Sequence, residues 1–510
     1  MWILDELKKR SESEKTAIIH RDRRLSFKEL WEGSEKIAKY IKDNTSTQNP
    51  ILIYGNKDVE IVQIMMGALK SGRAYVPIDV TFPEERVRQI SEITNAELLF
   101  NITDIRITAE NSTRVLDFDN CKDILNNGTL DASDEASWVQ GDDNCYILFT
   151  SGSTGVPKGV QISKYNILNF VNWFGKQATV EGDIVLNQVS YSFDVSVIQL
   201  YLYLAMGKTL FCIDKRMISN FGELFEFLKG SSIASWVSTP AFIEMCSVYD
   251  AFNKELLPLL EKIILAGEVL TKKLTTALWK KIPGVEVING YGPTEGTVLL
   301  TACTITKDMV EDDKNELPIG KILDAAEYTI DQAVEAQENG MESKAFSKGE
   351  LIVSSASISK GYYKNEEATA KNFFKESGKE FNSYRTGDVV YEINDMIYYC
   401  GRKDFQIKLN GYRIELDDIS ANINKIDGVE NNIILPAYRD GRVAYIAAFL
   451  VLNMQIWGEA SKAQRTVAIR KKLAELIPSY MVPKKFIVLD KFPLNVNGKI
   501  DRKALREEYL

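Results

Sequence analysis

Residues 150–160 read TSGSTGVPKGV, a run that gathers hydroxyl side chains and glycines ahead of one lysine, Lys158. It leaves the apolar run YILFT (146–150), which has the length and β-rich content of a strand. A loop of this composition can turn backbone N–H groups, hydroxyls and an ammonium onto phosphate oxygens. It is not a Walker A loop: counting from Gly152, the glycine required before the lysine is Pro157, and Gly159 follows Lys158 where a Ser or Thr belongs. The sequence holds a single histidine, His20. Histidine-bearing zinc sites and Ser-His or Cys-His nucleophiles need a well-placed imidazole, so they are set aside. His20 lies in IIHRDRRLSF, which reads as a hairpin turn before a helix, with the histidine an ordinary surface residue.

The loop needs a frame. ILIYG (51–55), AYVPI (74–78) and ELLFNI (97–102) are further strand candidates, and EIVQIMMGALKSG and PEERVRQISEIT between them carry apolar residues at helical spacing. Such alternation predicts an α/β fold, a mainly parallel sheet with helices on its faces. Beyond about residue 345 short strands dominate (GELIVSS, DVVYEIND, MIYYCGR), which predicts a small antiparallel barrel or sheet. After Asp404 an α+β unit is expected: LDDISANINKI as a helix, IILPAYRDGRVAYIAAFLVL as two strands joined by an Asp-Gly turn, and a helix over 462–476. The expected division is a large N-terminal domain, 1–403, and a small C-terminal one, 404–510.

At 510 residues the chain exceeds what one core holds. Its formal net charge of −9, without a dense basic run, argues against nucleic acid or an anionic membrane as the main partner. No apolar run approaches the ~18 residues of a membrane span. MWILDELKKR lacks a leader pattern and the six cysteines are scattered, so a reduced, cytoplasmic protein is expected.

Together with NGYGPTEGT (289–297), YRTGD (384–388), GRKDFQIKLNGYRIEL (401–416) and NGKIDRKAL (497–505), the loop resembles the adenylate-forming superfamily, and within it the amino-acid adenylation domains of peptide synthetases. The resemblance runs from LSFKEL (25–30) and LKSGRAYVPID (69–79) to the last lysine segment. It implies that ATP and Mg²⁺ are used to activate a carboxylate as its acyl-adenylate, which then passes to a thiol. Both reactants are anions, so cations and dipoles must stand where charge builds.

By that resemblance, Thr294 and the loop residues Thr150, Ser151, Gly152, Ser153, Thr154, Gly155 and Lys158 hold phosphates, and Glu295 is the Mg²⁺ ligand. Gly292 belongs to the same nucleotide site. Asp388 clamps the ribose with help from Arg402, Asn289 reads the adenine amino group, and Tyr291 stacks on the base. Lys499 is the catalytic lysine, on a mobile C-terminal lid domain that turns about a hinge at Asp404 between the two half-reactions. Gly411 lines the tunnel for the thiol arm.

Asp194, in YSFDVSV, matches the carboxylate that pairs with a substrate α-ammonium in the amino-acid-activating members. The side-chain pocket carried over with it is Val195, Ile198, Val237, Ile264, Ala266, Gly290, Val298 and Leu299, which holds no charge and implies a small apolar side chain. D-Alanine is the leading candidate, with L-alanine, glycine, proline and valine as alternatives. Family members that use D-alanine carry cysteine at the position of Ala266 and a bulkier polar residue at that of Gly290, with Leu299 able to refill the space. No Gly-Gly-x-Ser carrier motif occurs, so the acceptor is expected to be a separate phosphopantetheinylated carrier protein. The competing readings are an acyl-CoA synthetase and a non-catalytic nucleotide-binding relative.

Overall fold

The computed structural model describes residues 1–110, 112–130, 134–152, 154–314, 316–332, 348–376, 378–439, 442–458, 460–494 and 500–510. The chain divides into two compact units. The first comprises Met1–Asp79, Ser91–Phe149 and Gly159–Asp404; the second comprises Val80–Ile90, Thr150–Lys158 and Phe405–Leu510. The glycine-rich loop therefore groups with the C-terminal residues, although in sequence it interrupts the N-terminal part.

Within the first unit, a nine-stranded sheet carries a parallel centre: Glu286–Tyr291, Lys262–Leu265, Ile233–Ser238, Ile184–Asn187, Thr209–Cys212 and Thr16–His20, in that spatial order. Antiparallel strands close both edges. The central strands are almost wholly buried, as expected of Val/Ile/Leu runs covered on both faces. A second sheet of six strands has the order Arg114–Leu116, Leu98–Asn101, Ile51–Gly55, Tyr75–Asp79, Asn144–Thr150, Lys158–Ser163, and its first five strands pair in parallel.

The helix Phe27–Asn44 starts at a capping box in which Ser26 Oγ accepts from the Glu29 amide at 3.1 Å and Glu29 accepts from the Ser26 amide at 2.7 Å. It packs on Val59–Lys70, a helix buried on every side. The late short strands form a five-stranded antiparallel sheet in which Ser383–Ile393 pairs with Gly349–Ser354, Phe373–Phe374 and Met396–Arg402.

The second unit has its own core around Ile414, Ile419, Ile434, Ala448, Ile469 and Leu473. Its helix Leu416–Ile423 follows the hairpin Gln406–Leu409/Tyr412–Glu415. The strands Val429–Arg439 and Arg442–Leu452 pair antiparallel, and Lys485–Val488 adds parallel to the latter. The helix expected over 462–476 spans Lys462–Ala474.

One expectation is corrected. The hairpin at His20 is present, but its histidine is 5% exposed. Nε2 lies 3.1 Å from Asp214 Oδ2, and Nδ1 lies 3.7 Å from Asp58. The imidazole is buried because Thr16–His20 lies inside the sheet, beside Thr209–Cys212, which leads directly into Asp214.

Candidate active site

In the first unit the parallel strands end in register. Val237 pairs with Asn187 and with Ile264, Ile264 with Ile288, and Leu265 with Asn289. In open α/β sheets, ligands bind beyond such carboxyl ends. Val195, Ile198, Val237, Ile264, Ala266, Val298 and Leu299 all fall in one continuous buried apolar cluster that also contains Tyr291. Gly290 sits among them. A Cβ built on it would lie 2.9 and 3.0 Å from the two Leu299 methyls, so Leu299 already fills the space a larger residue would take.

Asp194 stands at the start of the turn that runs into a π-helical segment, Ile198–Tyr203, a geometry that often accompanies functional sites. Its Oδ2 accepts from Thr294 Oγ1 at 2.7 Å. The expected ammonium anchor and the expected phosphate-binding threonine are thus direct partners.

Thr294–Gly296 forms a 3-10 turn at the end of Glu286–Tyr291. Glu295 has no exposed surface, and its Oε1 accepts from Tyr362 Oη at 2.8 Å. The residues that follow, Thr297 and Val298, have φ of 56° and 74°. Left-handed backbone at a β-branched residue is strained and persists only where its surroundings enforce it. Thr297 Oγ1 donates to the Ser357 carbonyl at 2.6 Å, and the Leu300 amide donates to the Tyr291 carbonyl at 2.7 Å. Gly292 is required by this close approach, since a Cβ there would lie 2.5 Å from the Val298 carbonyl oxygen.

Among the described residues no group of three or more His, Cys, Asp or Glu could hold a metal. A lone buried carboxylate does fit Mg²⁺, which takes few protein oxygens when a triphosphate supplies others.

Asp388 is buried, and Arg402 is its cross-strand neighbour. Arg402 Nη1 donates to Asp388 Oδ1 at 2.8 Å, and Tyr291 Oη donates to Asp388 Oδ2 at 2.6 Å. Burial, and then the carboxylate beside it, push the Tyr291 phenol well above its ordinary value, so it stays a donor. Each carboxylate oxygen keeps a second lone pair for a further donor such as a hydroxyl. Arg402 also holds Asp404 with two hydrogen bonds, at 2.7 and 2.8 Å. Asn289 donates its amide nitrogen to the Pro318 carbonyl at 2.8 Å, which leaves its carbonyl oxygen as an acceptor.

In the second unit, Ser151 Oγ donates to the Arg413 carbonyl at 3.3 Å and accepts from the Glu415 amide at 3.0 Å. Gly155, at φ 77°, would place a Cβ 3.0 Å from the Ala421 methyl. The loop is thereby fastened to the hairpin and helix of its own unit. Thr154 is exposed and Lys158 half-buried. Gly411, with Asn410 before it, has φ of 83° and 53° in a two-residue hairpin turn, a conformational reason for glycine independent of any tunnel. Ser153 and Lys499 lie outside the described residues.

Residues 5–363 match the family of AMP-binding enzymes. The chain belongs to that family. Among curated relatives, the D-alanine--D-alanyl carrier protein ligase of Bacillus licheniformis is 37% identical over 100% of this chain and 99% of its own length. That of Listeria welshimeri is 39% identical over 95% and 94%. Among solved structures, the fused adenylation-PCP protein NpsA-ThdA of Klebsiella oxytoca superposes with a TM-score of 0.79 at 20% identity, over 95% of this chain and 93% of its own. The Vibrio cholerae adenylation domain AlmE, in complex with glycyl-adenosine-5'-phosphate, gives 0.78 at 19%, over 99% and 97%. These neighbours share the adenylate-forming fold: a large domain of parallel sheets and a smaller C-terminal one.

Two further residues, which no sequence motif marks, hold candidate site groups in place. Tyr362 orders Glu295, as above. Glu350 is buried and accepts from the Gly387 amide at 3.0 Å and from Lys403 Nζ at 2.5 Å, which fixes the turn before Asp388. Glu350 announces itself only as a charged residue in an otherwise apolar strand, GELIVS. Tyr362 carries no local signal.

Proposed function

We propose that this chain is an AMP-forming ligase that activates a small amino acid, D-alanine foremost, with ATP and transfers it to the phosphopantetheine thiol of a separate carrier protein. The observation that carries the reading is Asp194: a carboxylate hydrogen-bonded to Thr294 and directly preceding Val195, which packs in the buried apolar core with the other uncharged candidate pocket residues. A small substrate with one positive charge suits that combination, since an ammonium leaving water needs a carboxylate partner. Leu299, packed over Gly290, occupies the space that a side chain at 290 would fill. The full-length relatives named as D-alanine--D-alanyl carrier protein ligases support D-alanine over the other small amino acids.

In this reading Asp388 and Arg402 orient the ribose, Asn289 accepts from the adenine amine, and Tyr291 holds Asp388 through its hydroxyl as well as facing the base. Thr294 takes phosphate oxygens, the role that the family motif also gives to Lys158 and the loop amides. Glu295 would hold Mg²⁺, which when bound would neutralise charge on the phosphates. The amino-acid carboxylate attacks the α-phosphorus, the bond to pyrophosphate breaks, and aminoacyl-AMP forms. The carrier thiol then attacks the acyl carbon, releases AMP and loses its proton to solvent.

The test is amino-acid-dependent pyrophosphate exchange with D-alanine, L-alanine, glycine, proline, valine and β-alanine, followed by loading of a holo-carrier against CoA. D-Alanine should give the highest kcat/KM, and the carrier but not CoA should be loaded. Release of ADP, or exchange with none of these amino acids, would overturn the reading.

A further inference from the structure

Lys57 is buried at 1% exposure, and no step above uses it. Its direct partners are neutral. Nζ donates to Asn187 Oδ1 at 2.7 Å and to the Val189 carbonyl at 2.5 Å, and it sits 3.7 Å from the centroid of the Tyr191 ring. Burying an ammonium against neutral groups is expensive, and an apolar side chain of similar length would avoid the expense. What the ammonium gains is position. Lys57 follows the carboxyl end of Ile51–Gly55 in the six-stranded sheet, whereas Asn187 ends Ile184–Asn187 in the nine-stranded sheet. One side chain therefore ties together the ligand-facing ends of two sheets.

All three groups it touches lie on the segment that leads from Asn187 to Asp194. Asn187 reinforces the arrangement by donating to Tyr191 Oη at 2.8 Å. A second tether acts one residue from Val189: Ser190 Oγ donates to Asp79 Oδ2 at 2.5 Å, and Asp79 pairs in register with Gly55, two residues before Lys57. From Ser190 the chain turns directly, the Phe193 amide donating to the Ser190 carbonyl at 3.0 Å, to deliver Asp194. Residues 188–193 have no ladder of their own to hold them, so these tethers, together with Ser238 Oγ donating to Gln188 Oε1 at 2.8 Å, hold the segment that leads to Asp194.

We propose that Lys57, assisted by Asp79, is a positioning residue for amino-acid recognition, holding residues 187–191 so that Asp194 is presented to the substrate α-ammonium. The inference rests on the anchor role given to Asp194 above. It assigns to Lys57 no contact with substrate, and no group Lys57 touches belongs to the nucleotide site, which Asp194 meets through Thr294.

The experiment is pyrophosphate exchange by Lys57→Met, Asp194→Ala and the double variant, with the KM for amino acid and for ATP measured separately. Lys57→Met should raise the amino-acid KM about 10-fold or more, as misplacing a recognition group does, with the ATP KM within about 2-fold. In the Asp194→Ala background the same substitution should change the amino-acid KM little, because the group it positions is gone. Should Lys57→Met not fold, Ser190→Ala, which cuts the Asp79 tether and the contacts of Ser190 Oγ with Ser192 but leaves those of Lys57 in place, should raise the amino-acid KM in the same selective way. A raised KM in Asp194→Ala alongside an unchanged one in Lys57→Met, or equal and additive losses for both substrates, would overturn the positioning role alone. An unchanged amino-acid KM in Asp194→Ala would overturn the anchor reading and this inference with it.

Discussion

In the proposed pocket, Leu299 sets how much room the substrate side chain has. Its methyls stand where the Cβ of residue 290 would be, and it has no exposed surface. Leu299→Ala should shift kcat/KM from alanine toward valine by about 10-fold or more, because one methylene in an apolar pocket discriminates by about 1–3 kcal/mol. An unchanged ratio in pyrophosphate exchange would place Leu299 outside the substrate's reach. Lys57 allows a separate test on stability. Burial pulls its ammonium from 10.5 down to about 7, with Cys212 and Asp79 the charged or ionisable groups acting on it and the Tyr191 ring against it. Below pH 7 folded and unfolded chains both hold the proton; between pH 7 and 10.5 the unfolded chain holds more, so stability from this group rises with pH through that window. Denaturant unfolding at pH 7 and pH 9 should show a rise of about 2 kcal/mol attributable to Lys57 and missing in Lys57→Met. A pH dependence identical in the two proteins would show that the amine keeps an ordinary pKa. Neither residue's surroundings were legible in the sequence. Leu299 is nine positions from Gly290 and meets it only because the chain doubles back through two left-handed residues. Lys57 reads as one more loop lysine until Asn187 and Val189, 130 positions away and beyond, close over it.

At the scale of elements, the parallel layers were legible because continuous apolar strands and 3.6-residue helical patterns follow from burial on one or two faces. The fastening of the glycine-rich loop was not, because it depends on backbone groups at 413 and 415 that any sequence would possess. The helix Leu416–Ile423 carries a further buried pair in the same unit. Asp418, with no exposed surface, takes Arg86 Nη2 at 3.3 Å and Asn422 Nδ2 at 2.8 Å. Burial raises the Asp418 carboxyl even with Arg86 beside it, a sign that desolvation outweighs the pairing. Removing one partner leaves the other buried and unpaired. Asp418→Ala should therefore lower stability by about 3–5 kcal/mol, whereas the double variant Arg86→Met/Asp418→Leu should recover most of that loss. Equal losses in thermal or denaturant unfolding would show that the pair acts through packing and not charge.

Over the whole molecule, the groups assigned to ribose, metal and amino acid (Asp388, Glu295 and Asp194) belong to the first compact unit, while residues 405–510 build a second core. The motif NGKIDRKAL (497–505) gives Lys499 its role by resemblance to the family, and Leu494 and Ile500 form an antiparallel bridge. The two half-reactions make different demands on that lysine. Adenylation brings a carboxylate against a triphosphate, so a cation there offsets charge that accumulates in the transition state. Thioester formation begins from an activated mixed anhydride with AMP as a good leaving group, and the thiolate supplies the nucleophile. Lys499→Ala should thus depress pyrophosphate exchange by about 100-fold or more, the size of effect seen when one preorganised charge donor is lost. The same variant should transfer the aminoacyl group from synthetic aminoacyl-AMP to the holo-carrier at close to the unsubstituted rate. Parallel loss of both steps would mean that Lys499 supports the protein as a whole and not the first chemical step.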